Sequence, residues 1–106
     1  MAFLSPTDMA RKEPMPGFVG RFANGVTMTS VTWTIAAGAE LPEHAHPHEQ
    51  VAHVLDGEFE LTIEDRTQRL GAGMVAVIPP NAVHSGRAIT QCRIIDVFHP
   101  VRDDYR

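Results

Sequence analysis

No long segment of this chain carries an apolar repeat of about 3.6 residues, so long amphipathic helices are excluded as its framework. The sequence reads instead as short extended runs, each closed by Gly, Pro, Asn or Asp. Phe18–Ala23 is a short strand ended by Asn24-Gly25, a strong hairpin signal. Val26–Ala36 is rich in Thr, Val, Ile and Trp, side chains that pack well on a pleated surface. Within it Thr27, Thr29, Val31, Trp33 and Ile35 share one face, and Met28, Ser30, Thr32 and Thr34 the other. Gln50–Leu55 is the next strand, with Asp56-Gly57 as a tight turn. Glu58–Glu64 alternates, placing Phe59, Leu61 and Ile63 inward and Glu58, Glu60, Thr62 and Glu64 in water. Asp65-Arg66 turns the chain and Thr67–Leu70 returns. Met74–Ile78 is continuously apolar, as in a buried strand. Pro79-Pro80-Asn81 turns it, and Val83–Ala88 and Gln91–Phe98 complete the set. Residues 1–16 read as mostly extended or irregular, with one short turn capped by Thr7 or Asp8, and as an arm that lies across a partner subunit. Many short strands at close spacing specify an all-β sandwich or barrel, here one domain with its core between about residues 18 and 100.

The histidines are the second constraint. In the run Gly38-Ala39-Glu40-Leu41-Pro42-Glu43-His44-Ala45-His46-Pro47-His48-Glu49-Gln50, three of them stand at alternate positions. Residues i and i+2 of a strand share a face, so His44 and His46 present two imidazoles to one point, as a metal ion requires. Gln50 joins that face if the strand is unbroken, while Glu49 faces the other way. His84, just past the proline turn, supplies a further imidazole. The expected centre is therefore a divalent metal in the mouth of a small β-barrel, held by His44, His46, Gln50 and His84. If Pro47 bends the strand, His48 takes the place of Gln50. Three imidazoles and an amide suit Zn, Ni, Mn or Fe(II). His53 alternates away from Gln50 and reads as a packed or interface residue.

Composition narrows the function classes. A chain of 106 residues is enough for one compact domain and not two. A net charge of −4 argues against nucleic-acid binding, so an anionic ligand has to be held by local arginines or a metal. Cys92 is the only cysteine, so no intrachain disulfide framework is possible, and its apolar surroundings make it buried filler. No apolar run has the length of a signal peptide, and none approaches the roughly 20 residues of a membrane span. A cytoplasmic protein without nucleic-acid or membrane partners is the expectation.

The two histidine-bearing stretches resemble the two motifs of the cupin family. Gly38, His44, His46, Gln50 and Gly57 fall on the positions of the first motif, and Gly73, Pro79 and His84 on those of the second. Asn81 stands where glycine is usual and tolerates the same left-handed turn. Ala88 replaces a usual asparagine. The resemblance implies an all-β, conical double-stranded β-helix, a jelly-roll barrel. A lone small barrel leaves edges and an apolar face to cover, so a homodimer is expected, with Trp33 and the N-terminal segment helping to cover them. Where the family usually has Glu, this chain has Gln50. The neutral amide leaves the site one unit more positive, which favours an anionic ligand and Lewis-acid work over oxygen redox chemistry.

The C-terminal run sharpens the resemblance. Asp96-Val97-Phe98-His99-Pro100-Val101-Arg102, with the His-x-His-Pro-His-Glu-Gln run upstream, is similar to the KdgF-like cupins of pectin and alginate breakdown. Those proteins convert 4,5-unsaturated monouronates into linear keto-uronates. The resemblance implies His44, His46, Gln50 and His84 as metal ligands and Asp96, Phe98 and Arg102 as the substrate-facing set. In that role Asp96 moves a proton, Arg102 clamps the substrate carboxylate and Phe98 packs on the sugar. A carboxylate in an apolar strand is costly unless paired or functional. The plain alternatives are an ion pair of Asp96 with Arg93, Arg87 or Arg21, and a solvated Arg102. Two other functions fit the same site: a non-haem iron or nickel dioxygenase, and a module that binds a sugar acid without turnover.

Overall fold

The computed structural model describes residues 1–105, and in it ten strands, β1 to β10 in chain order, form two antiparallel sheets. The larger sheet contains β1 (Ala10–Met15), β2 (Phe18–Asn24), β3 (Thr29–Ile35), β5 (Glu49–Asp56), β8 (Val75–Ile78) and β10 (Cys92–His99). Its order is β1-β2-β3-β10-β5-β8. The smaller sheet contains β4 (Glu40–His44), β6 (Phe59–Ile63), β7 (Arg66–Leu70) and β9 (His84–Ala88), in the order β4-β9-β6-β7. The all-β expectation holds, and the alternation that specified it now has a physical address. Val31, Trp33 and Ile35 of β3 and Phe59 and Leu61 of β6 point into one shared core, where Phe18, Val54 and Ile94 join them. Among the described residues no helix is long and apolar enough to cross a membrane.

The strand register collects the polar residues of the interior at one end of this sandwich. Across the larger sheet Thr29 pairs with Phe98, Phe98 with Gln50, and Gln50 with Ile78. Across the smaller sheet His44 pairs with His84 and His84 with Ile63. These are the ends of their strands, so Thr29, Gln50, Phe98, His44 and His84 all ring one mouth of the barrel. The opposite end is apolar, with Ile35 beside both Phe18 and Cys92.

Several local expectations change. Residues 1–16 carry the expected short turn, at Pro6–Asp8 with Ser5 rather than Thr7 or Asp8 as its N-cap, and the extended part is a paired strand: β1 lies against β2 of its own chain, Ala10 opposite Phe22. The first hairpin has a four-residue loop rather than Asn24-Gly25 alone, because the Gly25 N–H reaches the Met28 carbonyl at 2.8 Å and β3 starts only at Thr29. The later turn is Glu64-Asp65, one residue earlier than the composition suggests, with Glu64 in the left-handed region at φ 54°. Asp56-Gly57 is no hairpin either. It carries the chain from the larger sheet to the smaller, and Gly57 sits at φ 85° against the backbone of Gln91 and Cys92.

The buried strand expected at Met74–Ile78 is an edge strand. β8 pairs only with β5, and Val75 and Val77 are 49% and 58% exposed while Ile78 is buried. An apolar run reports that a strand avoids charge, not that both of its faces are covered. Trp33 does not cover an outer face, as expected of it; its ring is in the core.

Candidate metal centre and pocket

The chain folds its histidines together by a route other than a single strand. His44 ends β4 on the smaller sheet, residues 45–48 cross over, and Gln50 is the second residue of β5 on the larger sheet. His46 therefore sits on the crossover rather than beside His44 on a pleat. Pro47, which cannot donate to a ladder, stands within this break. His84 opens β9, directly opposite His44.

Each of the three rings is oriented by a backbone carbonyl. Nδ1 of His44 lies 2.8 Å from the Pro42 oxygen, Nδ1 of His46 3.1 Å from the His48 oxygen, and Nδ1 of His84 2.9 Å from the Ala82 oxygen. A carbonyl only accepts, so each Nδ1 carries the proton and donates it. The lone pair is thereby left on Nε2, the tautomer a metal ligand needs. His46 Nε2 and His84 Nε2 are buried and have no hydrogen-bond partner. The ligand atoms of His44, His46 and His84 lie within 4.8 Å of one another, and theirs is the group that could hold a metal ion among the described residues. Burial, reinforced by the nearby positive charge of Arg102, holds the His46 imidazole down to about 4; burial also lowers His84. Both rings are thus neutral at neutral pH, ready to bind a divalent cation without first losing a proton. Orphaned Nε2 atoms, fixed tautomers and neutral rings together fit a divalent metal.

The second half of the site is acidic and aromatic. Asp96, Phe98 and Arg102 line the same pocket as the three histidines and Gln50. One oxygen of Asp96, Oδ2, accepts the indole N–H of Trp33 at 2.9 Å; the other, Oδ1, is buried without a hydrogen-bond partner. Burial pushes the Asp96 carboxyl up to about 6, against the Gln50 amide, the Trp33 N–H and the charges of Arg102 and His53, all of which favour the ionised form. No donor stands at hydrogen-bonding geometry to Oδ1. The ion pair considered for Asp96 is absent: Arg87 binds Glu60, Arg21 reaches the Met9 carbonyl, and Arg93 is exposed.

Arg102 is not a solvated terminus. It is 8% exposed, and its guanidinium carbon lies 4.8 Å from the Phe98 ring centroid and 4.2 Å from that of Tyr105. Its Nε and Nη2 donate to the two oxygens of Asp104 at 2.9 and 2.6 Å. The Thr29 hydroxyl accepts the Arg102 backbone N–H at 2.8 Å and donates to Asn24 at 2.6 Å, so the start of β3 pins the tail over the mouth. His48 stands outside the trio, its ring packed 5.5 Å from that of His46 and 6.5 Å from that of Phe98. The pocket thus gathers all seven of the expected residues. The hydrogen bond made by Trp33 and the parts of Asp104 and Tyr105 went unread; an aromatic residue in an otherwise polar tail was the one available signal.

Known proteins agree with this architecture. The Cupin domain model matches residues 31–98. The pectin degradation protein KdgF of Dickeya dadantii (strain 3937) is 29% identical over 93 residues, covering 77% of this chain and 84% of that protein. Among solved structures, KdgF from Halomonas sp. superposes with a TM-score of 0.90 at 28% identity, covering 98% of this chain and 97% of that one. An RmlC-like cupin from Shewanella frigidimarina NCIMB 400 gives 0.93 at 27% identity, covering 100% and 96%. The family match spans both histidine-bearing segments and the Asp96 strand, and the chain belongs to the cupin family.

Proposed function

We propose that this protein converts 4,5-unsaturated monouronates, of the kind released from pectin or alginate, into linear keto-uronates. The observation that carries the reading is the unpartnered, buried Oδ1 of Asp96, which lines one pocket with the three-histidine cluster and Arg102. The names of the relatives support the substrate class, since two of them are called KdgF and one of those a pectin degradation protein. His44, His46 and His84 through Nε2, with Gln50 through its amide oxygen, would hold a divalent cation of the Zn, Ni, Mn or Fe(II) type. When bound there it supplies Lewis acidity toward the oxygens of an anionic sugar.

The chain's own residues account for the rest. Arg102 holds the substrate carboxylate, and Phe98 packs on the ring while keeping Arg102 in place. Ionised Asp96 takes the proton of the anomeric hydroxyl through Oδ1. The bond from C1 to the ring oxygen breaks as C1 becomes an aldehyde, and the electron pair passes into the C4–C5 enolate. Asp96 returns its proton to C4, and C5 becomes the ketone. One proton moves from O1 to C4, one bond opens, and nothing else is consumed. A carboxyl raised toward neutrality suits both halves of that task.

The same reading has the protein act in the cytoplasm as a homodimer. Its test uses freshly prepared 4,5-unsaturated galacturonate, followed by loss of the conjugated double-bond absorbance. Acceleration over the spontaneous rate should vanish on metal stripping and in Asp96→Ala. A rate equal to the blank from metal-loaded protein would sink the reading and leave the dioxygenase and the binding module to be tested by oxygen uptake and ligand affinity.

A further inference from the structure

We infer that Trp33 is a positioning residue for the reaction: its indole N–H fixes the Asp96 carboxylate so that Oδ1 alone is presented to the substrate. The inference rests on the role proposed above for Asp96. It begins from register. Asp96 on β10 lies between Val31 of β3 and Ala52 of β5. Its diagonal neighbours two residues along are Trp33 on one side and Gln50 on the other, close enough for long side chains to meet. The two neighbours differ in kind. Gln50 lines the pocket with the histidines, and its amide also favours the ionised Asp96, whereas Trp33 has one donor and spends it on Oδ2 at 2.9 Å.

The indole is itself held. Phe18 and Phe22 meet it edge-on at 5.8 and 5.5 Å between centroids, and Tyr105 at 6.4 Å. Gly20, opposite Trp33 on β2, leaves the space the ring occupies, since a Cβ there would come within 2.8 Å of the indole. A donor that cannot turn makes a carboxylate that cannot turn. Free rotation would exchange the two oxygens and misdirect the proton on its way to C4.

Trp33 is the only tryptophan, so replacing tryptophan throughout the chain alters one site. With β-(3-benzothienyl)alanine, sulfur replaces the N–H and the packing shape is kept. The expected result is a kcat lowered about 10- to 100-fold, the effect of one lost hydrogen bond to a charged group, with KM within about twofold and little change in Tm. 7-Azatryptophan, which keeps the N–H, should restore most of kcat, a rescue that a purely structural role does not predict. An unchanged kcat in the sulfur analogue, with Asp96→Ala inactive, overturns the inference and leaves the reaction standing. If the uronate is not turned over at all, the reaction fails, and a second readout still decides the contact. In zinc-loaded, 15N-labelled protein the single indole N–H resonance should move upfield in Asp96→Ala. A resonance that stays in place means the carboxylate was never held.

Discussion

Asp96 is a residue whose position opposes its stability. Its folded pKa lies above the ordinary carboxylate value, so the native state binds the proton more tightly than the unfolded chain. Its contribution is present in acid and is lost as pH rises through about 6. Asp96→Asn should therefore cost at least about a hundredfold in rate while stabilising the metal-free protein at pH 7.5 by roughly 1–3 kcal/mol. Urea unfolding should show the two proteins converging near pH 4, and a variant less stable than wild type at pH 7.5 would contradict the assignment. Arg102→Lys keeps the charge but loses the planar fork that Asp104, Phe98 and Tyr105 align. Steady-state kinetics should register it as a KM raised about tenfold or more, with a smaller change in kcat. At this scale the sequence revealed charge more readily than hydrogen bonding. A carboxylate inside an apolar run announces itself, as Asp96 did. An indole in the same kind of run looks like core, and Trp33 is core apart from one N–H.

At the scale of elements, alternation was legible and connection was not. β6 presents the face that its period-two pattern specifies. The steps between sheets were misread, because Asp56-Gly57 has the composition of a hairpin and the geometry of a crossing. Similarly, the sequence left open whether the strand runs unbroken from His44 to Gln50; it breaks after His44, and both sides of the break still line the same pocket. Two glycines separate conformational need from space. Gly57 and Gly73 both sit at positive φ, 85° and 88°. A side chain at Gly73 meets nothing, whereas one at Gly57 meets the backbone of Gln91 and Cys92. Gly73→Ala should cost about 1–2 kcal/mol, the left-handed strain alone. Gly57→Ala should cost about 3 kcal/mol or more, because strain and overlap add. Equal midpoints in urea would mean that the crossing relaxes freely.

For the whole molecule, the outward valines of β8, together with exposed Leu55 of its neighbour β5, give the proposed homodimer an apolar face to bury. Light scattering should return twice the 11.7 kDa of the chain. Val75→Glu with Val77→Glu should return a folded monomer, and a wild-type monomer at micromolar concentration would remove the dimer from the reading. The cation should weigh on stability as well as on rate. At a hundredfold excess over its Kd it should stabilise the native state by about 2.7 kcal/mol, so chelation should lower Tm by on the order of 10 °C. The proposed ligand set spans both layers, with His44 and His84 on the smaller sheet, Gln50 on the larger and His46 on the crossover between them. A cation held by all four is a clasp across the barrel mouth. Its residence time is then set by how often the layers part there, and loosening substitutions far from the pocket should first be felt as metal leakage.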